Sequence, residues 1–159
     1  MNDRSYTTTL TVDQSPEAAF AAINNVRGWW SEAIDGRTDQ LGTVFNYHFK
    51  DLHRCKIEVT EMVPGQKVVW HVLENYFSFT NDKTEWTNTT IRFDISRNAG
   101  KTAIRFTHVG LVPEYECYDA CSDGWGTYVN TSLRDLITKG KGRPNLGDAM
   151  TDSERVLVG

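Results

Sequence analysis

No stretch of the 159-residue sequence approaches the ~18 consecutive apolar residues of a membrane-crossing helix. The opening Met1-Asn2-Asp3-Arg4-Ser5 also lacks the apolar run of an export signal. Cysteine is scarce. Cys55, Cys117 and Cys121 are odd in number and too scattered for a disulfide framework, so reduced thiols and a cytoplasmic location are expected. There is no excess of positive charge either. Seventeen Lys and Arg against 21 Asp and Glu leave a net charge of −4, which gives no electrostatic pull towards nucleic acid or an anionic membrane. Glycine-rich phosphate loops, Ser-His-Asp arrangements and paired acids at a defined spacing are missing, as are repeats, linkers and low-complexity blocks.

What is present suits one domain. With 39% hydrophobic and 24% charged residues the chain can build a core and is not compositionally disordered. The domain is expected over residues 1–144, with 145–159 a loosely attached tail of little periodicity.

Tyr6, Thr8, Leu10 and Val12 alternate with Thr7, Thr9 and Thr11, the period of a half-buried strand. Ser15-Pro16-Glu17 supplies an N-cap, an N1 proline and a first-turn acid, and Ala19, Ala22, Ile23 and Val26 follow at helical spacing. Gly28 should interrupt that helix, and 29–34 should make a second short one.

Alternating stretches then come in series: Phe45, Tyr47 and Phe49; Ile57, Val59 and Glu61; the run 68–73; Ile91, Phe93 and Ile95; and Ile104, Phe106 and His108. Pro64-Gly65 predicts a type II turn between two of them, Asn98-Ala99-Gly100 turns the chain again, and 75–87 reads as an aromatic loop. Trp125, Val129, Leu133, Leu136 and Ile137 form a helical apolar stripe ended by Gly140, Gly142 and Pro144. Gly124 and Gly126 predict a kink or loose entry before Trp125. The whole is an α+β order, about six antiparallel strands with two short helices after the first and one long helix at the end.

Several strings inside this order resemble the SRPBCC (START-like) superfamily, and within it the branch homologous to the C-terminal domain of the activator of the ninety-kilodalton heat-shock protein's ATPase. They are Ser15-Pro16-Glu17-Ala18-Ala19-Phe20, Trp29-Trp30, Val63-Pro64-Gly65 leading to Val69-Trp70-His71, Glu85-Trp86, Phe106-Thr107-His108-Val109-Gly110-Leu111 and Gly124-Trp125. The resemblance spans about residues 5–139. It implies the helix-grip fold, a curved sheet wrapped around a long C-terminal helix and enclosing a largely apolar cavity. It also implies binding of lipids, sterols, polyketides or other hydrophobic molecules, with cyclases and lyases a minority. No catalytic motif runs through the superfamily, so the resemblance assigns no catalytic residue.

Trp70, Phe93, Phe106, His108, Tyr118 and Trp125 are the candidate ligand-binding residues. His108 continues the apolar parity of Ile104 and Phe106, and a neutral imidazole there can hold a ligand oxygen or move a proton. The competing reading is a buried histidine satisfied by a backbone carbonyl or a tyrosine, which the lack of a neighbouring carboxylate favours. Cys117 and Cys121 lie one helical turn apart, but no further ligand stands at zinc spacing, so inert thiols are expected and no metal or cofactor. Lys139, Lys141 and Arg143 read as a solvated helix end complementing its dipole.

The leading expectation is a binding module for a small hydrophobic or amphipathic molecule and not an enzyme, with homodimerisation left open. The alternatives are a cyclase or lyase using His108, and a chaperone-associated interaction module. The named activator carries a further N-terminal domain for which this chain leaves no room, so chaperone stimulation is not expected.

Overall fold

The computed structural model describes residues 5–32, 34–49, 53–78, 80, 81 and 84–144; the expected tail lies outside them. Strand β1 (Tyr6–Val12) is followed by helices α1 (Pro16–Asn24) and α2 (Val26–Trp29). Strands β2 (Ile34–Asp35), β3 (Val44–Phe49), β4 (His53–Val63), β5 (Lys67–Phe77), β6 (Thr90–Asn98) and β7 (Lys101–Val109) come next. A C-terminal helix closes the fold as α3 (Tyr118–Thr127), a π-helical turn (Tyr128–Leu133) and α4 (Arg134–Lys139). All seven strands form one antiparallel sheet in the order β1-β7-β6-β5-β4-β3-β2, the helix-grip arrangement.

The local signals act as their chemistry demands. The Ser15 hydroxyl accepts from the Ala18 N–H at 3.1 Å, capping α1 behind its N1 proline. Gly65 takes φ +70° in the turn between β4 and β5, a conformation that costs glycine little. Inward apolar residues then fall into register across the sheet: Phe93 pairs with Phe106, Ile95 with Ile104, and Ile104 with Leu10.

Four local expectations need correction. Gly28 lies inside α2, which ends at Trp29, and Ile34 belongs to a short strand instead of a second helix. Strand β5 runs on to Phe77, so the first part of the expected aromatic loop is sheet. The helix passes through Gly124 and Gly126 without a break, and its irregularity comes later, at the π-helical turn. That turn has a clear use. Trp125, Val129, Leu133 and Ile137 are spaced by four, and an α-helix at 3.6 residues per turn would rotate such a series steadily off one face. One wider turn takes up the drift, and all four are buried. Leu136, expected in the buried stripe, is left only half-buried.

Candidate functional site

The inner face of the sheet and the C-terminal helix meet in a packed cluster of aromatic rings. Trp29 and Trp30 lie nearly parallel to Trp70, with centroids 6.4 and 6.1 Å away. Phe93 meets Trp70 edge-on at 5.0 Å and Phe106 at 5.2 Å. Trp125 reaches across from α3 to Phe106 at 4.8 Å and to Trp30 at 4.9 Å. Five of the six residues picked from the sequence therefore converge: Trp70, Phe93, Phe106 and His108 are wholly buried and Trp125 nearly so. Tyr118 sits half-buried at the start of α3, packed against the same core.

His108 is satisfied on both sides. The Trp125 indole N–H donates to its Nδ1 at 3.1 Å, which fixes Nδ1 as the acceptor and Nε2 as the protonated nitrogen. Nε2–H then donates to the Thr89 hydroxyl at 2.8 Å, and that hydroxyl donates to the Trp86 carbonyl. Burial pushes the imidazole down to about 3, so it is neutral at ordinary pH. A histidine with both nitrogens engaged inside the protein is the structural alternative weighed above. Thr89 packs tightly against Gly110, which has φ +101° and would set a Cβ 2.9 Å from the Thr89 methyl.

A second buried histidine lies nearby. The His53 ring sits 4.6 Å from Trp86 and 4.4 Å from Phe77, and its Nε2–H donates to the Asn75 Oδ1 at 2.8 Å. Burial holds it neutral as well, again down to about 3. Here the polar groups are not all satisfied. The Asn75 Nδ2 and the Trp86 Nε1 are buried without a hydrogen-bond partner, as is the Trp70 Nε1 deeper in the ring stack.

Asn75 was invisible in the sequence because of a β-bulge. Ile57 pairs with Val72 but Lys56 with Glu74, which leaves Leu73 as an extra residue. Inward parity on β5 thus changes from Val68, Trp70 and Val72 to Asn75 and Phe77.

The start of α3 is fixed by Glu85. Its carboxylate accepts from the Glu116 and Cys117 backbone N–H groups at 2.9 and 3.2 Å, placing negative charge where the helix N-terminus is positive. Trp86, next in sequence, stacks on Trp125 at 5.6 Å and 14°. The pair Glu85-Trp86 therefore ties the β5–β6 connection to the helix. Cys55, Cys117 and Cys121 are free and buried, and burial raises the Cys55 and Cys121 thiols above their ordinary range, away from nucleophilic thiolate. Among the described residues no three His, Cys, Asp or Glu side chains are placed to hold a metal ion. No helix among them is long and apolar enough to cross a membrane.

Residues 13–138 match the model of the family described as Activator of Hsp90 ATPase homolog 1-like protein. The chain belongs to this family. Solved structures agree on the fold of this Activator of Hsp90 ATPase homolog 1-like chain. The solution structure of the Aha1 dimer from Colwellia psychrerythraea is 23% identical, with TM-score 0.69 over 87% of this chain and 98% of that one. DynU16, a putative protein in the dynemicin biosynthetic locus, is 15% identical, with TM-score 0.65 over 89% of this chain and 49% of that one. MLL2253 from Mesorhizobium loti is 14% identical, with TM-score 0.63 over 83% and 96%. Among curated proteins, none matches the sequence. The fold is thus that of the SRPBCC superfamily, a ligand-binding fold family.

Proposed function

We propose that this protein binds a small hydrophobic or amphipathic molecule between the sheet and the C-terminal helix. The observation that carries this reading is the cluster of buried aromatic rings between sheet and helix, in which polar N–H groups of Trp70, Asn75 and Trp86 stand among apolar side chains without a hydrogen-bond partner. Trp70, Phe93, Phe106 and His108 form its deep wall, and Tyr118, Trp125, Trp86 and the His53–Asn75 pair its outer part. A binding role is favoured over a cyclase or lyase role because both His108 nitrogens are already engaged. Free thiols suit a cytoplasmic location. The dimeric Colwellia relative makes a homodimer the assembly to look for.

Native mass spectrometry of the freshly purified protein should find a non-covalent adduct that is lost on denaturation. Hydrophobic compounds screened against the protein should shift its tryptophan emission. No adduct, together with unchanged emission across the screen, would leave a protein-interaction role as the better reading.

A further inference from the structure

Residues 140–143, which follow α4, turn back onto the molecule as a strap. Gly140 takes φ +78° and its N–H donates to the Leu136 carbonyl, the left-handed stop of the helix. Gly142 then lies in a seam with no room for a side chain. A Cβ there would strike the Gly28 carbonyl oxygen of α2 and stand 2.9 Å from the Ser132 carbonyl oxygen of the π-helical turn. Arg143 closes the strap at two points. Its backbone N–H donates to the Ser132 Oγ at 2.7 Å, and its Nε meets the Asp135 carboxylate at 3.1 Å. The Ser132 hydroxyl in turn donates to the Trp29 carbonyl at 2.6 Å, so one buried oxygen joins the strap, the C-terminal helix and α2.

The element held in this way reaches into the ring cluster. With four residues and no side-chain cap, α2 is too short to persist except through what packs on it. Trp30, which ends it, lies 4.9 Å from Trp125 on the C-terminal helix, and 4.4 Å from Tyr47 and 6.1 Å from Trp70 on the sheet. Trp30 thus spans sheet and helix, and moving α2 withdraws it from both. Arg27 ties α2 to the β2 segment through the Ile34 and Gly36 carbonyls, at 3.1 and 2.7 Å, so releasing Ser132 and the strap frees α2 from the helix and leaves that tie in place. Resting on the ligand-binding reading above, we propose that residues 140–143 are a latch that holds α2 shut, and that their release is the step that admits a ligand to the ring cluster. The rings are packed, so a ligand enters by displacing a cover, and a four-residue helix held from outside is a cover that opens at little cost.

The test compares wild type with Gly142→Ala, which pushes the strap out of its seam, and with Arg143→Ala, which removes the ion pair and keeps the backbone N–H. Lys141→Ala, on the same strap, is the control. Amide hydrogen exchange of the free protein, read by NMR, should quicken roughly three- to tenfold at Gly28 and Trp30 in Gly142→Ala and about twofold in Arg143→Ala. Ile104 and Phe106 in β7 should keep their wild-type exchange, as should all four amides in Lys141→Ala. Unchanged exchange at Gly28 and Trp30 in both variants, or an acceleration shared equally by β7, would overturn the latch. Arg143→Ala, whose side chain is exposed, carries this test should Gly142→Ala not fold. Entry is read by stopped-flow fluorescence with N-phenylnaphthylamine, an uncharged hydrophobic probe. Its association and dissociation should both quicken in the variants by the factor seen in exchange, with Kd unchanged. Wild-type rates alongside faster exchange would overturn the entry step while leaving the ligand-binding reading in place. A probe that binds no form of the protein counts against that reading and the entry step together, and the exchange result then upholds or overturns the latch by itself.

Discussion

The two buried histidines share an element type, an aromatic setting and a proton affinity, and differ in how their surroundings are satisfied. His108 stands in a closed chain, from the Trp125 indole through both ring nitrogens to the Thr89 hydroxyl and the Trp86 carbonyl. His53 reaches only Asn75, whose amide nitrogen is left unpaired, as is the Trp86 indole beside it. Closed polar networks of this kind hold a core in one arrangement, whereas unpaired buried donors carry a cost that a ligand can relieve. The histidine that sequence parity marks as functional thus does structural work, and the one beside an unnoticed asparagine borders the open hydrogen-bonding capacity.

Acid should treat the two alike, and its effect should be the largest. Each imidazole is held down to about 3 in the folded protein, against ~6.5 unfolded. Between these values the unfolded chain binds more protons, so stability is fully present above about pH 6.5 and falls as pH drops towards 3. Each histidine should contribute about 1.4 kcal/mol per pH unit inside that window, measured by denaturant unfolding at a series of pH values. Stability that stays level from pH 6.5 to 4.5 would mean that the histidines are not held neutral by burial.

Substitution should separate them. Trp125→Ala removes a buried indole from the helix and leaves the His108 Nδ1 without its donor, at a cost of about 3–5 kcal/mol by chemical denaturation. A loss below 1 kcal/mol would show that the helix is not anchored there.

A smaller effect sharpens the contrast. Thr89→Val strands the buried His108 Nε2–H and should cost about 1–3 kcal/mol by denaturant unfolding. A loss below about 0.5 kcal/mol would show that His108 does not depend on its closed chain of hydrogen bonds.

Much of the fold was legible along the chain. The alternation in β1, β6 and β7, the Ser15-Pro16-Glu17 start and the Pro64-Gly65 turn are short-range signals whose physical cause lies within a few residues. The two-residue β2 carries no periodicity of its own and exists through pairing with Tyr47 and Asn46. The glycines beside Trp125 weaken a helix by propensity, but tertiary packing of Trp125 outweighs that weakness.

Of the candidate site, parity alone placed Phe93, Phe106 and His108 on one inner face, because a strand's side chains must alternate. Parity could not place Asn75, since the bulge at Leu73 reverses it, and a bulge is a property of two paired strands. Nor could it reveal Glu85 as the acceptor at the start of α3, across 31 and 32 residues of chain. The sequence by itself determined which residues turn inward and where most elements begin, because torsional preference and hydrophobic period act locally. Tertiary structure alone decided which inward polar groups find partners, because a hydrogen bond needs two groups within about 3 Å, and those groups come from distant parts of the chain.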